Sequence, residues 1–241
     1  MRLFLHNHIM PEEIIKKKRV GKGKGATKMD IVLGVEQKKA KEVMMTSTCT
    51  ILDGVPGTSK STLSMNVALT LLFDTDISKI WLTRPPIELD QFSKNGALPG
   101  DDKEKNLVYM QPFLDAIVAN YNIDGKKARI ERAFADKEIE FCPMPFIRGK
   151  NLGTKNEKCV VLVDEGQSCS PSTMYAILTR LGEGSKMFIT MDLNQADLKG
   201  ASGGKRLMDI VGRVKGLEYV ELTKNYRSKF VQSINEHWFE K

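Results

Sequence analysis

The chain has 241 residues, 41% of them hydrophobic, which suits one sizeable α/β domain or one domain with appendages. No apolar run approaches a membrane span, and Met1–His6 is too short for a secretory signal, so the expectation is a cytoplasmic protein with no membrane segment. The net charge of +7 is unevenly spread: residues 1–28 hold eight basic side chains against Glu12 and Glu13, which is six of the seven net charges, and the body is nearly neutral.

Residues 1–29 therefore read as a basic flexible arm, with Gly21, Gly23 and Gly25 between lysines, ahead of one domain over 30–241. Such an arm either contacts nucleic-acid phosphates or is a solvated leader. Val35–Met45 reads as a helix leading to a buried strand over Cys49–Leu52. Next comes Gly54-Val55-Pro56-Gly57-Thr58-Ser59-Lys60-Ser61, which fits the phosphate-cradling pattern G-x-x-x-x-G-K-[ST] except that Ser59 stands where the last glycine belongs. In such a loop the backbone N–H groups and the N-terminus of the following helix face an anion. Gly54, Pro56, Gly57, Thr58 and Ser59 would cradle phosphate, with Thr62 in the helix's first turn. Lys60 would reach the β/γ-phosphates, and the Ser61 hydroxyl would ligate Mg²⁺. The helix should run over Ser61–Phe73.

Lys79–Thr83 is a second buried strand, stopped at Arg84-Pro85-Pro86 because proline cannot continue a ladder. Asp101 with Glu104 resembles a helix start, and Phe113, Leu114, Ile117, Val118 and Tyr121 recur at helical spacing. Glu138–Phe141 reads as a short strand at an edge or in an insertion. Cys159–Val163 is a continuous apolar run, as in a parallel strand buried on both faces, and it ends in Asp164-Glu165. Ligands of open α/β sheets bind beyond the carboxyl ends of the strands. There Asp164 would hold the Mg²⁺ shell and Glu165 would orient and deprotonate an attacking water. Ser170-Pro171 opens a helix ending near Gly182; Met187–Met191 is a strand ending at Asp192, with Gln195 shortly after. A helix over Lys205–Val211, a strand over Tyr219–Leu222 and a helix from Ser228 complete a parallel sheet with helices on both faces. Cys49, Cys142, Cys159 and Cys169 form no C-x-x-C pair and read as buried free thiols of a reducing compartment, not disulfides or zinc ligands. His237 and Trp238 read as packing.

In this order the motifs resemble those of the PhoH-like family of phosphate-loop ATPases, which are related to the first motor domain of superfamily 1 helicases. The resemblance covers about Gln37 to Arg227. It is carried by Thr83-Arg84-Pro85, Leu98-Pro99-Gly100-Asp101, Arg148-Gly149-Lys150-Asn151-Leu152, Asp164-Glu165-Gly166-Gln167, Leu178-Thr179-Arg180-Leu181-Gly182 and Met191-Asp192-Leu193-Asn194-Gln195. It implies a RecA-like P-loop fold and an Mg²⁺-dependent ATPase, helicase-like, with RNA or single-stranded DNA as partner. It also implies that Gln37 reads the adenine edge and that Asp192 and Gln195 sense the γ-phosphate. Asn225-Tyr226-Arg227-Ser228 is similar to a helicase motif, which makes Arg227 a candidate charge stabiliser. Arg180 is a second candidate, offered to a neighbouring subunit of a homo-oligomer such as a hexameric ring. Arg84 and Arg148 are implied nucleic-acid contacts.

The chain departs from the family pattern at Ser59, at Gly166 in place of alanine and at Met191 in place of glycine. Two other readings stand beside the ATPase. One is a nucleotide-gated RNA-binding switch with little hydrolysis, which Ser59 favours. The other is a small-molecule kinase, which the water-activating look of Glu165 and Gln195 disfavours. The chain is too short for the two motor domains of a conventional monomeric helicase.

Overall fold

The computed structural model describes residues 33–85, 102–120, 126–147, 149–195 and 202–237. The basic arm, the Leu98–Asp101 motif, Tyr121, Arg148 and Trp238 lie outside the described residues. Six strands form one sheet in the order β3-β2-β4-β5-β1-β6: β1 Cys49–Asp53, β2 Ile77–Thr83, β3 Ile139–Phe141, β4 Lys158–Val163, β5 Lys186–Met191 and β6 Leu217–Glu221. Every pairing among them is parallel. The helices are α1 Val35–Thr46, α2 Lys60–Asp74, α3 Asp102–Ala119, α4 Lys126–Ala135, α5 Met144–Ile147, α6 Pro171–Leu178, α7 Gly203–Met208 and α8 Lys229–His237.

Strand periodicity explains why the central strands are mostly apolar. Successive side chains point to opposite faces, and each face has its own core. Leu52, Ile80, Leu82, Val160, Leu162 and Phe188 pack with α1 to α4 on one side. Ile51, Trp81, Val161, Val163, Met187 and Ile189 pack with α5, α6 and α7 on the other. A doubly covered sheet leaves few polar positions on its middle strands. The expected edge strand is β3, shorter by one residue than its sequence pattern. The expected 205–211 helix begins earlier and ends sooner, because Ser202 caps it: its hydroxyl accepts from Lys205 N and donates to Gln167 O. Gly203 makes this approach possible, since a Cβ there would lie 2.8 Å from Ser170 O.

Two helices were not expected. Helix α4 carries buried Ile130 and Ala133 with Phe134 beside the core, a short i, i+3, i+4 stripe. The four-residue α5 follows Pro143. Helix α3 continues through Pro112, which removes one helical hydrogen bond. Its end is tied to α2 by a buried amide pair: Asn66 Nδ2 donates to Asn120 Oδ1 at 2.9 Å, while Asn120 Nδ2 donates to Ala116 O at 2.7 Å and Thr62 O at 3.2 Å. That tie fixes α3 over the first turn of α2.

Replacing Asn120 by alanine strands buried partners on both helices. The expected loss is about 1–3 kcal/mol, read from the urea midpoint at unchanged m-value.

Candidate nucleotide site

The strand order puts β5 between β1 and β4, so the carboxyl ends of all three lie side by side on one edge. β1 ends in Asp53, whose Oδ1 accepts from Gly54 N at 2.9 Å and from Leu193 N at 3.2 Å, while Oδ2 accepts from the Tyr219 hydroxyl at 3.0 Å. One carboxylate thus joins the glycine-studded loop, the turn carrying Gln195 and β6. The hydroxyl of half-buried Tyr219 is pushed up in pKa by burial and by its bond to Asp53.

The loop itself is shaped by backbone that only glycine adopts easily. Gly54 has φ +152, and a Cβ there would sit 2.3 Å from Leu222 O; Gly57 has φ +95. Thr58 is buried and its hydroxyl donates to Val55 O at 3.0 Å. Ser59 caps α2 with φ 67 and ψ 25, the left-handed conformation. The serine therefore keeps the backbone shape that glycine would give, at a cost of roughly 1–2 kcal/mol.

Beyond the loop lies a cleft of about 450 Å³ lined by Pro56, Gly57, Ser59, Lys60, Ser61 and Thr62 from one side. Asp164, Glu165, Thr190, Met191, Asp192 and Gln195 line it from the ends of β4 and β5, and Arg227 borders its rim. Lys60 Nζ lies on the loop, donating to Gly54 O at 2.5 Å and Val55 O at 3.1 Å. Burial lowers its pKa, and Asp192, Glu165, Asp164 and Asp53 oppose that shift by favouring the ammonium. Asp192 is raised by its burial, against the Asn194 N–H and Lys60, which favour its charge.

Asp164 Oδ1 accepts from Ser61 Oγ at 3.2 Å and Thr190 Oγ1 at 2.5 Å. This puts a hydroxyl of α2 and a carboxylate of β4 together, a pair of hard oxygen donors of the kind Mg²⁺ shares with substrate phosphates and water. The Ser61–Asp164 pair fits such an ion. Glu165 holds φ 57, a second strained backbone position. Its Oε2 accepts from Gln167 Nε2 at 2.5 Å, and Gln167 Oε1 in turn accepts from Asp192 N at 3.1 Å. Arg84, whose side chain is 6% exposed, stands 3.9 Å from Glu165 Oε1.

The rim of the cleft is clasped by the chain after β6. Tyr226 N donates to Gly57 O at 2.9 Å and Asn225 Nδ2 to Pro56 O at 3.1 Å. Gln37 is 4% exposed; its Oε1 accepts from Gly34 N at 2.9 Å and from the Tyr226 hydroxyl at 3.2 Å. It adjoins the cleft through Tyr226 and does not line it. Glu36 accepts from Thr223 N, Thr223 Oγ1 and Lys224 N, and these donors, the Thr223 hydroxyl first, lower its pKa.

Of the nucleotide-site residues expected from sequence, the cleft gathers all but Gln37, Gly54, Thr58 and Arg180, and Arg84, expected to contact nucleic acid, lies outside it. Gly54 and Thr58 build the loop from behind. Arg180 is exposed after α6, outside the cleft of its own chain. Sequence reasoning missed Asp53, Thr190 and the wall from α3, where Pro112, Asp115 and Ala116 face the loop. Asp53 had a readable signal, an acid directly before Gly54. The α3 wall had none, because it depends on tertiary docking.

A phosphate loop on β1, a carboxylate pair after β4 and a polar turn after β5 define a P-loop protein with the RecA-like α/β fold. A protein-family model described as PhoH-like protein matches residues 31–238, and the chain belongs to the PhoH-like family. The PhoH-like protein of Bacillus subtilis (strain 168) is 37% identical over 171 residues, covering 70% of this chain and 50% of that protein. Protein PhoH of Escherichia coli (strain K12) is 29% identical over 181 residues, covering 75% and 48%. The chain spans about half the length of the curated relatives it matches. The solved large terminase of a thermophilic bacteriophage superposes with a TM-score of 0.52 at 12% identity, over 86% of this chain and 50% of the terminase, a likeness of fold alone. Among the described residues, no helix is long and apolar enough to cross a membrane.

Two outcomes follow from the local geometry. Ser59→Val puts a β-branched residue in the left-handed region and should lower stability by about 1–3 kcal/mol in urea titration, whereas Ser59→Gly should stay within about 1 kcal/mol of the parent. Glu36, with its folded pKa lowered, contributes stability above its unfolded pKa that is lost as pH falls through the folded one. Between about pH 6 and pH 3 the Tm of the parent should therefore fall further than that of Glu36→Gln.

Proposed function

We propose that the cleft binds ATP with Mg²⁺ and hydrolyses it, and that turnover is coupled to RNA or single-stranded DNA. The observation that carries this reading is the meeting of Lys60, Ser61, Asp164, Glu165, Gln195 and Arg227 around one cavity, although they come from four separate stretches of chain. The phosphate chain lies along Gly54–Ser61, and Lys60 turns from the Gly54 and Val55 carbonyls to the β/γ-phosphates. Ser61 and Asp164 would hold the Mg²⁺, which when bound would supply neutralising charge to the phosphates.

Glu165 takes a proton from a water aligned with the γ-phosphorus. The water oxygen bonds to that phosphorus as the bond to the β-bridging oxygen breaks, and ADP departs with the electron pair. Gln195, on the turn that Asp53 fixes, holds the water or the γ-phosphate, and Asp192 answers its loss. Arg227, anchored beside Gly57, stabilises the developing charge. The adenine sits toward Tyr226 and Gln37. Arg180, exposed after α6, is free to serve the cleft of a neighbouring copy in a homo-oligomer.

Ser59 favours a second reading, a nucleotide-gated RNA-binding switch that barely hydrolyses, because it is a cleft-lining position that carries a side chain where the family pattern has none. Steady-state ATP hydrolysis with and without single-stranded RNA separates the two. RNA-stimulated turnover, reduced at least about a hundredfold by both Lys60→Ala and Glu165→Gln, is the expected outcome. Tight Mg·ATP binding without turnover in the unaltered protein leaves the switch.

A further inference from the structure

Arg84 is a cation at the carboxyl end of β2, next in the sheet to β4 and thus to Glu165. Its side chain is 6% exposed, and its Nε is buried with no hydrogen-bond partner. Its guanidinium stands 3.9 Å from Glu165 Oε1, close enough for charge attraction and too far for a hydrogen bond. Burying the arginine cation is offset only when hydrogen bonds satisfy its donors, and here Nε is unsatisfied while the Glu165 side chain is 38% exposed to solvent that screens the attraction. The arrangement is therefore poor as a structural tie. It also does not suit a surface contact to a nucleic-acid backbone, because the side chain is covered.

The two oxygens of Glu165 are held in different ways. Oε2 accepts a hydrogen bond from Gln167, so its direction is fixed by a neighbour that is itself fixed to the end of β5. Oε1 faces the Arg84 charge with no hydrogen bond to it. The lone pairs of Oε1 remain open to a water. We infer that Arg84 is a positioning residue for Glu165, holding Oε1 as the oxygen that receives the water's proton. This rests on the hydrolysis reading and adds to it the identity of the accepting atom and of the group that orients it. Arg84 touches neither nucleotide nor water, and exchanges no proton.

The test uses the full chain with Arg84→Met, which keeps the volume and removes the charge, and Arg84→Lys, which keeps the charge on a shorter reach. Steady-state kcat and KM for Mg·ATP are measured with the Tm of each variant. For Arg84→Met the expected result is a kcat lower by about tenfold to a hundredfold, with KM within about twofold and Tm not lowered. Arg84→Lys should recover part of the kcat at the same KM. In a Glu165→Gln background, where the acceptor is already gone, Arg84→Met should remove little further single-turnover rate. An unchanged kcat in Arg84→Met, or a loss that follows a lowered Tm, overturns the inference. Should Arg84→Met fail to fold, a parental kcat in Arg84→Lys overturns it equally. Failure of the hydrolysis reading is distinct: the unaltered protein then binds Mg·ATP without turnover, and this inference falls with it.

Discussion

The cleft exists because β5 lies between β1 and β4 in a parallel sheet. Neighbouring strands are about 4.8 Å apart, so the ends of β1 and β4 are separated by roughly 10 Å, wide enough for a phosphate group and its counter-ion. Were β1 and β4 adjacent, the loop after Asp53 would close over Asp164. With β5 between, the gap is bridged from both sides: Ser61 reaches across from α2 and Thr190 rises from β5, and both hydroxyls meet Asp164 Oδ1. Asp53 applies the same logic one strand over, holding the loop to the turn after β5 and to β6. The site is the edge of the sheet cross-linked by two carboxylates.

That edge is electrostatically unusual. Lys60 faces Asp53, Asp164, Glu165 and Asp192, and all four favour its charge against the burial that opposes it. In this state the ammonium is satisfied by two carbonyls of its own loop. A phosphate chain entering the cleft competes with those carbonyls while adding negative charge beside the acids. A divalent cation arriving with the phosphates would offset that charge, and Ser61 and Asp164 are two oxygen donors already in contact. Arg84 behind Glu165 and Arg227 at the rim add positive charge to the same edge.

Most of this was legible in the sequence for a simple reason. Continuous apolar runs mark strands covered on both faces, and the chemistry lies at their ends, so finding Cys159–Val163 also finds Asp164 and Glu165. The same holds for Cys49–Leu52 and the loop, and for Met187–Met191 and Asp192. What could not be read belongs to docking. Asp115 is one polar residue on a helix interrupted in sequence by Pro112, and the Asn66–Asn120 tie together with the packing of Phe113, Ala116 and Ile117 brings it over the loop. Gln37 had a suspected role, but its bond to Tyr226 joins residues 189 positions apart. Arg84 read as a nucleic-acid contact because burial is invisible at a strand end followed by proline. Helix α4 had a readable stripe in Ile130, Ala133 and Phe134, overlooked because only three positions carry it.

Two of the chain's three departures from the family pattern are explained by packing. A Cβ at Gly166 would lie 2.5 Å from Ile189 Cγ2, so the branched residue of β5 occupies the space that alanine takes in the pattern. Met191 fills the space over Gly204, where a Cβ would meet its sulfur at 3.1 Å, and the thioether's flexibility lets it fit the gap. Ile189 and Met191 are alternate residues of one strand, on one face, packed on the same α6–α7 layer. Both positions thus pack beneath the turn that carries Glu165. Ser59 has no such partner; it keeps a glycine's conformation by bearing the strain itself. Packing absorbs two of the three departures. The third is borne at the phosphate loop, so any functional difference from the family pattern should arise there.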